Sequence, residues 1–328
     1  MTLIAPNACD KLDSLVPQQQ LEEYASKRDA LPLQWSFSVV PGFFKQSAID
    51  TDDGSYDALK DHFGLAKESW NGLIEELRSL NESADDNTQY KLVFCARHGQ
   101  GHHNKAVEIF GLDAWNDHYS HLGSATLPNG ETIVFGPDPF LTSLGEQQAQ
   151  FMNDAFKREI SEFGCPLPSK LFCSPFTRSA QTFSITMNGI TISKDGTDAK
   201  VLAGKPLSPL VTENLRETIG SHLCDKRSTK SIFQKRLSGW GFQFEDGFSE
   251  EDVLYRDDWR EPISDQAIRA NKFLQFLFST EEYKDDQIVY NASHAGEIKA
   301  LLIATGHRQY TVPTAGMIPL LVKATRND

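Results

Sequence analysis

Short apolar runs alternate with longer segments of helical periodicity along the chain from Lys91 onwards. The apolar runs predict strands over 91–97, 168–174, 206–212, 287–293 and 316–323. The periodic segments predict helices over 104–111, 143–163, 177–188, 264–280 and 296–305. Ser264 is the expected N-cap of the fourth helix, because its hydroxyl can accept a hydrogen bond from a free N–H of the first turn. Strands that alternate with helices in this way predict an α/β fold whose sheet is covered on both faces.

Residues 1–90 precede this alternation and offer fewer apolar positions. Alternating residues predict one strand over 34–40, and apolar residues recur at helical spacing over 65–80. So few apolar residues are available that an independent core is not expected. We therefore expect residues 1–90 to form an N-terminal extension that packs on the core and covers its apolar surface, and residues 91–328 to form the main domain.

Two long segments do not fit the alternation of strands and helices. Residues 112–142 are rich in Trp, His, Gly and Pro, and residues 218–262 set aromatic residues among acidic ones. Loops of this length in a compact domain are often lids or walls of a binding site. We therefore expect both segments to be insertions on the substrate side of the domain.

The composition narrows the class of protein. A hydrophobic content of 39% and a mean hydropathy of -0.41 are typical of a globular protein. No apolar run approaches the roughly 18 residues needed to cross a bilayer. A formal net charge of -13 argues against the basic face that a nucleic-acid partner would need. We expect neither nucleic acid nor a membrane as a partner.

The N-terminus and the cysteines indicate a compartment. The first residues lack the basic start and long apolar core of a secretory signal. The five cysteines are odd in number and are never spaced as C-x-x-C, which favours a reducing environment. We expect the protein in the cytoplasm, with the nucleus as a further compartment.

The stretch that most strongly indicates chemistry is the turn after the first strand of the main domain, Arg97-His98-Gly99. In α/β sheets, turns at the carboxyl ends of strands hold ligands. An arginine there offers a planar, permanently charged fork that fits phosphate oxygens. The turn therefore predicts a phosphate pocket in which His98 is the nucleophile.

Three further turns follow predicted strands and carry candidate partners for His98. Arg178 lies in the first turn of a helix, where it either supports anion binding or points into solvent. His294 follows the next-to-last strand and is either a second site histidine or a structural one. Glu217, like its neighbour Glu213, is either solvated or a general acid whose pKa is raised by partial burial.

Taken in order, these motifs resemble those of the histidine phosphatase superfamily, which includes the cofactor-dependent phosphoglycerate mutases. The matching motifs are Arg97-His98-Gly99, Leu-Thr-x-x-Gly-x-x-Gln-Ala over 141–149, Ser-Pro-x-x-Arg-x-x-Gln-Thr over 174–182, Leu-x-Glu over 215–217 and Ser-His-x-Gly over 293–296. The resemblance covers roughly residues 91–323 and is closest to a fungal or plant phosphomutase-like subgroup, which shares Arg216-Glu217 followed by Cys224-Asp225-Lys226-Arg227. It implies a three-layer α/β/α sandwich with a mostly parallel central sheet, and a catalytic domain over residues 91–328.

The resemblance also implies a role for each catalytic residue. His98 would be the nucleophile that forms a phosphohistidine. Arg97, Arg178 and His294 would surround the phosphoryl oxygens. Glu217 would be the proton donor, because an alanine follows the second histidine where other branches of the family carry an aspartate for this step.

Four more residues are candidates for binding the substrate. Gly99 would let the backbone approach the phosphoryl group closely. Asn104 matches an asparagine that contacts the substrate in the family, although helix N-capping would equally explain it. Lys226 and Arg227 would bind a distal anionic group of the substrate, or else form a solvated pair of loop charges.

A metal site is the weaker interpretation of the histidines near these turns, which are His102, His103, His118 and His121. We expect His102 and His103 to be bystanders beside the nucleophile. The resemblance implies neither a metal nor a cofactor. The expected partner is a small phosphorylated substrate, and the sequence does not indicate an oligomeric state.

Hydrolysis is expected rather than transfer to a second hydroxyl. Mutases of the family carry Leu-Asn-Glu-Arg-His-Tyr-Gly where this chain has Leu215-Arg-Glu-Thr-Ile-Gly220. They also use a C-terminal tail, for which this chain, ending at Asp328, has little length after its last predicted strand. The sequence therefore predicts a phosphatase that hydrolyses small phosphomonoesters. The alternatives are a phosphoglycerate mutase-type phosphotransferase and a catalytically weak interaction module.

Overall fold

The computed structural model describes residues 3–53, 55–194 and 200–327. Its strands are β1 (Trp35–Val39), β2 (Thr88–Arg97), β3 (Ser124–Thr126), β4 (Thr132–Val134), β5 (Lys170–Cys173), β6 (Leu210–Val211), β7 (Gln243–Phe244), β8 (Ile288–Ser293) and β9 (Met317–Arg326). Its helices are α1 (Ala8–Asp13), α2 (Gln18–Asp29), α3 (Trp70–Ser83), α4 (His102–Phe110), α5 (Leu112–Asp117), α6 (Ser143–Phe163), α7 (Thr177–Met187), α8 (Lys230–Arg236), α9 (Ile263–Ser279) and α10 (Ala295–Ala304). Within these ranges, no helix is both long and apolar enough to cross a membrane.

The central sheet has seven strands in the order β1-β9-β2-β8-β5-β6-β7. The strands β2, β8, β5, β6 and β7 run parallel, whereas β9 is antiparallel to β2 and β1 is antiparallel to β9. The predicted mostly parallel sheet is confirmed. Arg97 is paired with Ser293 and Cys173 with Ala292, so the carboxyl ends of β2, β8 and β5 are nearly level. The turns that follow these strands therefore meet at one edge of the sheet.

Helices cover both faces of this sheet. Alternate residues of β2 point to opposite faces, so Phe94 and Val93 enter different core clusters. On one face the helices contribute Trp70 of α3, Phe156 of α6 and Phe183 of α7. On the other they contribute Tyr24 of α2, Phe273 of α9 and Leu301 of α10. The molecule is therefore the predicted three-layer α/β/α sandwich.

The N-terminal extension packs on the core and also extends the sheet. Its strand β1 pairs along its whole length with β9 and forms one edge of the sheet. Phe43 and Phe44, which follow this strand in the chain, are both buried at 2% exposure. The extension therefore supplies an edge strand as well as a cover for apolar surface.

One predicted strand is much shorter than expected. The expectation for 206–212 is reduced to the two residues of β6. Pro206 and Pro209 lie in this segment, and proline has no N–H to donate to a neighbouring strand. The two long segments also contain elements that the sequence pattern did not reveal. Residues 112–142 form α5 and the β3–β4 hairpin, and residues 218–262 form α8 and β7.

The expected N-cap of α9 is wrong. The helix begins at Ile263, and the capping position is Pro262, which makes no side-chain cap. The hydroxyl of Ser264 instead accepts from Lys27 at 3.1 Å and donates to Glu23 at 3.2 Å. Both partners belong to α2, so this serine joins the extension to the core.

Candidate active site

The turns after β2, β5 and β8 meet at the carboxyl edge of the sheet and carry His98, Ser174 and His294. The N–H of His98 donates to the carbonyl of Ser293 at 3.1 Å, and the N–H of Ser174 donates to the carbonyl of Ala292 at 2.9 Å. These bonds tie each turn to the neighbouring strand. As a result, the rings of His98 and His294 lie with their centroids 5.1 Å apart.

His98 is buried and held in one tautomer. Its Nδ1 lies 2.7 Å from the carbonyl oxygen of Gly99. Because a carbonyl can only accept, Nδ1 carries the proton and Nε2 keeps its lone pair. Burial, together with the positive charges of Arg178 and Arg97, holds the pKa of His98 well below its usual range. The ring is therefore neutral and nucleophilic near neutral pH.

Arg97 and Arg178 are both buried, and the protein engages only part of each guanidinium group. Arg97 donates through Nη1 to Asp10 at 2.6 Å and to a backbone carbonyl at 2.8 Å. Arg178 donates to Asp225 at 3.0 Å and to a backbone carbonyl at 2.9 Å. The Nε of each arginine finds no acceptor in the part of the chain that the structure describes. The interpretation of Arg178 as a surface charge is therefore wrong.

His294 is completely buried between two serines. Its Nε2 lies 2.7 Å from Oγ of Ser174 and 3.2 Å from Oγ of Ser179. Burial lowers the pKa of His294 well below its usual value, and the charge of Arg178 lowers it further. The two serines hold the ring at Nε2, and its Nδ1 has no hydrogen-bond partner among the described residues.

Four buried nitrogens, all on side chains near His98, have no hydrogen-bond partner among the described residues. They are Nε of Arg97, Nε of Arg178, Nδ1 of His294 and Nδ1 of His103. Buried polar groups in folded proteins are hydrogen bonded in the large majority of cases. An anion beside His98 would supply the missing acceptors, and arginine suits phosphate oxygens in particular. The site is therefore suited to holding a phosphoryl group.

Glu217 lies on the loop after β6 and lines the same cavity as His98. Its Oε1 accepts from the N–H of Thr218 at 2.8 Å and from its hydroxyl at 3.2 Å. A side chain on Gly296 would overlap this oxygen, so a glycine there allows the carboxyl group to approach α10. Burial raises the pKa of Glu217, and the negative charges of Asp225 and Asp13 raise it further. A raised pKa suits a proton donor.

A cavity of about 590 Å³ opens beside these residues. Arg97, His98, Asn104 and Glu217 line it. The two long segments also contribute to its wall, with Leu112, Trp115 and Asn116 from the first and Thr218, His222, Cys224, Asp225 and Arg260 from the second. The structure thus places both segments next to the candidate catalytic residues.

No family model matches the chain, but two fungal proteins show its family and a third fungal protein is similar to it. It is 30% identical over 303 residues to the "Probable phosphoglycerate mutase" of Arthroderma benhamiae, with 88% of this chain and 84% of that protein covered. It is 32% identical over 287 residues to "Phosphomutase-like protein 3" of Candida albicans, with 87% and 79% covered. It is 26% identical over 302 residues to the "Probable phosphoglycerate mutase PMU1" of Saccharomyces cerevisiae, with 89% and 97% covered.

The chain belongs to the histidine phosphatase superfamily. Its fungal relatives place it in the phosphoglycerate mutase-like subgroup, as the motifs imply. Among solved structures, the ecdysone phosphate phosphatase from Bombix mori in complex with tungstate aligns at 16% identity, with 69% of this chain and 87% of that chain covered. The TM-score of that alignment is 0.41.

Gly99, in the superfamily's first motif, is required for a different reason from the one expected. The N–H of Gly99 donates to the hydroxyl of Thr182 at 2.9 Å, so it is not free for a ligand. A side chain on Gly99 would overlap the backbone of Gly145, near the start of α6. Gly99 therefore permits close packing of the turn against α6 and not a close approach to the phosphoryl group. Asn104 fits both of its interpretations, since it lines the cavity while its Oδ1 accepts from the N–H of Gly101 at 2.9 Å.

Lys226 and Arg227 do not line the cavity, contrary to expectation. Arg227 is buried, and its Nε donates to Glu213 at 2.7 Å. Its two terminal nitrogens donate to the backbone carbonyls of Ser228, Ser249, Glu250 and Glu251. Lys226 is exposed, and its ammonium group lies 5.4 Å from the centre of the Tyr255 ring. Neither side chain is placed to bind a distal anionic group of a substrate in this cavity.

Sequence reasoning missed several residues of the site. His103, which we expected to be a bystander, lines the cavity with its ring centre 5.3 Å from that of His98. Asp225 pairs with Arg178 and Arg260, and its place in the shared sequence 224–227 was a usable signal. The aspartate that pairs with Arg97 lies in the N-terminal extension, where no motif marked it.

His222, Cys224 and Asp225 form the one group in the described ranges whose ligand atoms could surround a metal, within 4.8 Å of one another. Asp225 is already paired with Arg178 at 3.0 Å and with Arg260 at 3.2 Å. A metal cation there would face two guanidinium charges at short range, which is strongly unfavourable. The group therefore does not fit a metal ion.

Proposed function

We propose that this protein is a phosphatase that hydrolyses small phosphomonoesters through a phosphohistidine on His98. The observation that carries the proposal is a neutral, buried imidazole with a free Nε2 beside unpaired nitrogens of Arg97, Arg178 and His294. Such donors stabilise a phosphoryl group in transfer, because its charge is spread over three equatorial oxygens. Removing one donor of this kind typically costs about 10²–10³ in rate.

In the first step, Nε2 of His98 attacks the phosphorus atom, and the bond from phosphorus to the ester oxygen breaks. Glu217 gives its proton to that oxygen, so that the alcohol leaves uncharged and Glu217 becomes a carboxylate. The raised pKa of Glu217 supports this role, because it keeps the carboxyl group protonated to a higher pH than an ordinary glutamate.

In the second step, the carboxylate of Glu217 takes a proton from a water molecule whose oxygen attacks the phosphorus. The bond between phosphorus and Nε2 breaks, inorganic phosphate leaves, and His98 regains its lone pair. Glu217 is protonated again and ready for the next substrate. One ester and one water are consumed, and one alcohol and one phosphate are released.

Transfer to a second hydroxyl is the other candidate, because two of the fungal relatives bear the name phosphoglycerate mutase. Two observations favour hydrolysis instead. The mutase-type sequence is absent from residues 215–220, and the cavity of about 590 Å³ leaves room for water beside a substrate. A catalytically weak interaction module is disfavoured because all five candidate catalytic residues are present.

Three assays on purified protein without added metal separate these functions. The substrates are p-nitrophenyl phosphate from acid to neutral pH, and 3-phosphoglycerate with and without 2,3-bisphosphoglycerate. We expect release of inorganic phosphate that disappears in His98→Ala and persists in Lys226→Ala, which removes an exposed charge outside the cavity. Isomerisation without release would show a mutase, and silence on a broad panel of phosphomonoesters would favour the interaction module.

A further inference from the structure

The cations on the wall of the active-site cavity are all engaged by carboxylates. The pairs are Arg97–Asp10 at 2.6 Å, Arg260–Asp225 at 3.2 Å and Lys299–Asp13 at 3.6 Å. Within the described parts of the chain, no arginine or lysine that lines this cavity is without such a partner. Arg178, which lies behind the wall, is paired with Asp225 as well. A second anionic group on a substrate would therefore have to displace a carboxylate from its cation.

The other titratable groups on the wall add no positive charge. Burial lowers the pKa of His222 to about 4, and it holds the pKa of His103 well below its usual value. Glu108 and Glu217 line the cavity in addition to the paired aspartates. Away from the phosphoryl end, the wall is therefore neutral to negative, in a chain whose net charge is -13. Such a field disfavours a substrate with a second negative charge.

Part of the same wall is apolar. Val107 of α4, Leu112 and Trp115 of α5, and Leu12 of α1 line the cavity. Leu112 and Leu12 are 36% and 57% exposed, so they present apolar surface to whatever enters. Ligand sites are typically concave and mostly apolar, with a few placed polar groups. An apolar part of a substrate would cover these side chains.

The size of the cavity also favours a substrate with a sizeable apolar part. Its volume of about 590 Å³ lies within the range of roughly 300–1,000 Å³ that is typical of sites for drug-sized ligands. A phosphorylated three-carbon acid would fill little of this space. The volume fits an alcohol that contains a ring system.

From the ion pairs, the apolar wall and the volume, we infer that the preferred substrate is a phosphomonoester of an uncharged alcohol with an apolar ring system, and not an ester with a second anionic group. This inference rests on the proposed phosphatase function, since it concerns the alcohol that His98 displaces. Arg97 faces the phosphoryl group and Arg178 adds its charge from behind the wall, while Leu12 and Leu112 contact the ring system.

Substituted benzyl phosphates test charge and apolar surface separately. Their methylene group insulates the ester oxygen from electronic effects of the ring substituent. 4-Carbamoylbenzyl phosphate and 4-carboxybenzyl phosphate have nearly the same size and differ by one charge. We expect kcat/KM to be about 10-fold higher for the carbamoyl probe. We also expect 1-naphthylmethyl phosphate to exceed benzyl phosphate by about 10-fold, because it covers more apolar wall.

Two variants tie these preferences to named residues. Asp13→Asn removes the carboxylate partner of Lys299 but keeps its hydrogen bond to the backbone carbonyl of residue 13. The ratio of kcat/KM between the carbamoyl and the carboxylate probe should therefore fall by about 5-fold. Asp29→Asn, an exposed carboxylate outside the cavity, is the matched control. Leu112→Asn should reduce the preference for the naphthyl probe. Ile49→Asn is its control, since Ile49 is 79% exposed and does not line the cavity.

The outcomes separate this inference from the proposed function. If the carboxylate probe is hydrolysed as fast as the carbamoyl probe or faster, and His98→Ala is inactive, the inference is overturned while the phosphatase stands. If the naphthyl probe has no advantage over benzyl phosphate, the apolar part of the inference is overturned in the same way. If no probe and no p-nitrophenyl phosphate is hydrolysed, the proposed phosphatase falls and the inference with it.

Discussion

Asp10 lies 87 positions before Arg97 in the chain and accepts a hydrogen bond of 2.6 Å from its Nη1, with both side chains buried. The other carboxylate oxygen of Asp10 accepts from the N–H of Asn7 at 3.0 Å, and the side chain of Asn7 accepts from the N–H of Asp10 at 2.8 Å. This reciprocal capping fixes the start of α1. The ion pair orients the guanidinium group, so that the N-terminal extension becomes part of the proposed active site.

Asp10→Ala should lower kcat/KM by about 10²-fold, because a misplaced catalytic group typically costs that much. Activity should fall because Arg97 would be left buried without the carboxylate that orients its guanidinium group. Steady-state kinetics on benzyl phosphate measure the effect, with thermal unfolding as a check on the fold. Asn7→Ala is the control, since it loses a cap worth about 1 kcal/mol and keeps the ion pair. A fully active Asp10→Ala would mean that Arg97 needs no such orientation.

Gly296→Ala should impair catalysis through Glu217. The added methyl group would overlap Oε1 of Glu217 and push against the hydroxyl of Thr218, at a typical cost of about 1–3 kcal/mol for overpacking. We expect kcat to fall more on benzyl phosphate than on p-nitrophenyl phosphate, because nitrophenolate leaves readily without a proton. Gly72→Ala in α3 is the matched control, since the nearest atom to its new side chain is 3.4 Å away. Equal losses on both substrates would contradict the role of Glu217 as proton donor.

The parts of the site that the sequence predicts are those that follow a regular element. His98 and His294 come directly after strands whose apolar runs are plain in the sequence, and Arg178 lies at the start of a helix. Their convergence follows from a parallel sheet, because the carboxyl ends of its strands share an edge. The core around them was also predictable, because its strands and helices show regular apolar periodicity.

The parts that the sequence did not predict are contacts between segments that lie far apart in the chain. Asp10 and Arg260 reach the site from segments without periodicity, and a pairing across such distances leaves no local pattern. The role of Gly99 was misjudged for a related reason. A glycine signals that something approaches closely, but only the fold shows that Gly145 is what approaches.

The alkaline limb of the pH profile of kcat/KM should report the pKa of Glu217. Its protonated form is the donor, so activity persists below its pKa and is lost as the pH rises through it. Burial, Asp225 and Asp13 raise that pKa, which moves the limb above the usual range of a glutamate. Asp13→Asn removes one of these causes and should shift the limb of kcat/KM to lower pH, whereas Asp29→Asn should not. A limb that stays in place or moves to higher pH in Asp13→Asn would contradict this assignment.

Arg227→Ala should destabilise the fold rather than weaken substrate binding. The substitution removes the ion pair to Oε1 of Glu213, whose other oxygen stays paired with Arg216, and it frees the backbone carbonyls that Arg227 binds. Breaking a buried ion pair typically costs about 3–5 kcal/mol. Denaturant unfolding should show this loss, while the adjacent Lys226→Ala, an exposed side chain, should change stability by less than about 0.5 kcal/mol. If Arg227→Ala unfolds like the unsubstituted protein but raises KM for substrates with a second anion, Arg227 binds substrate after all and the structural role assigned to it is wrong.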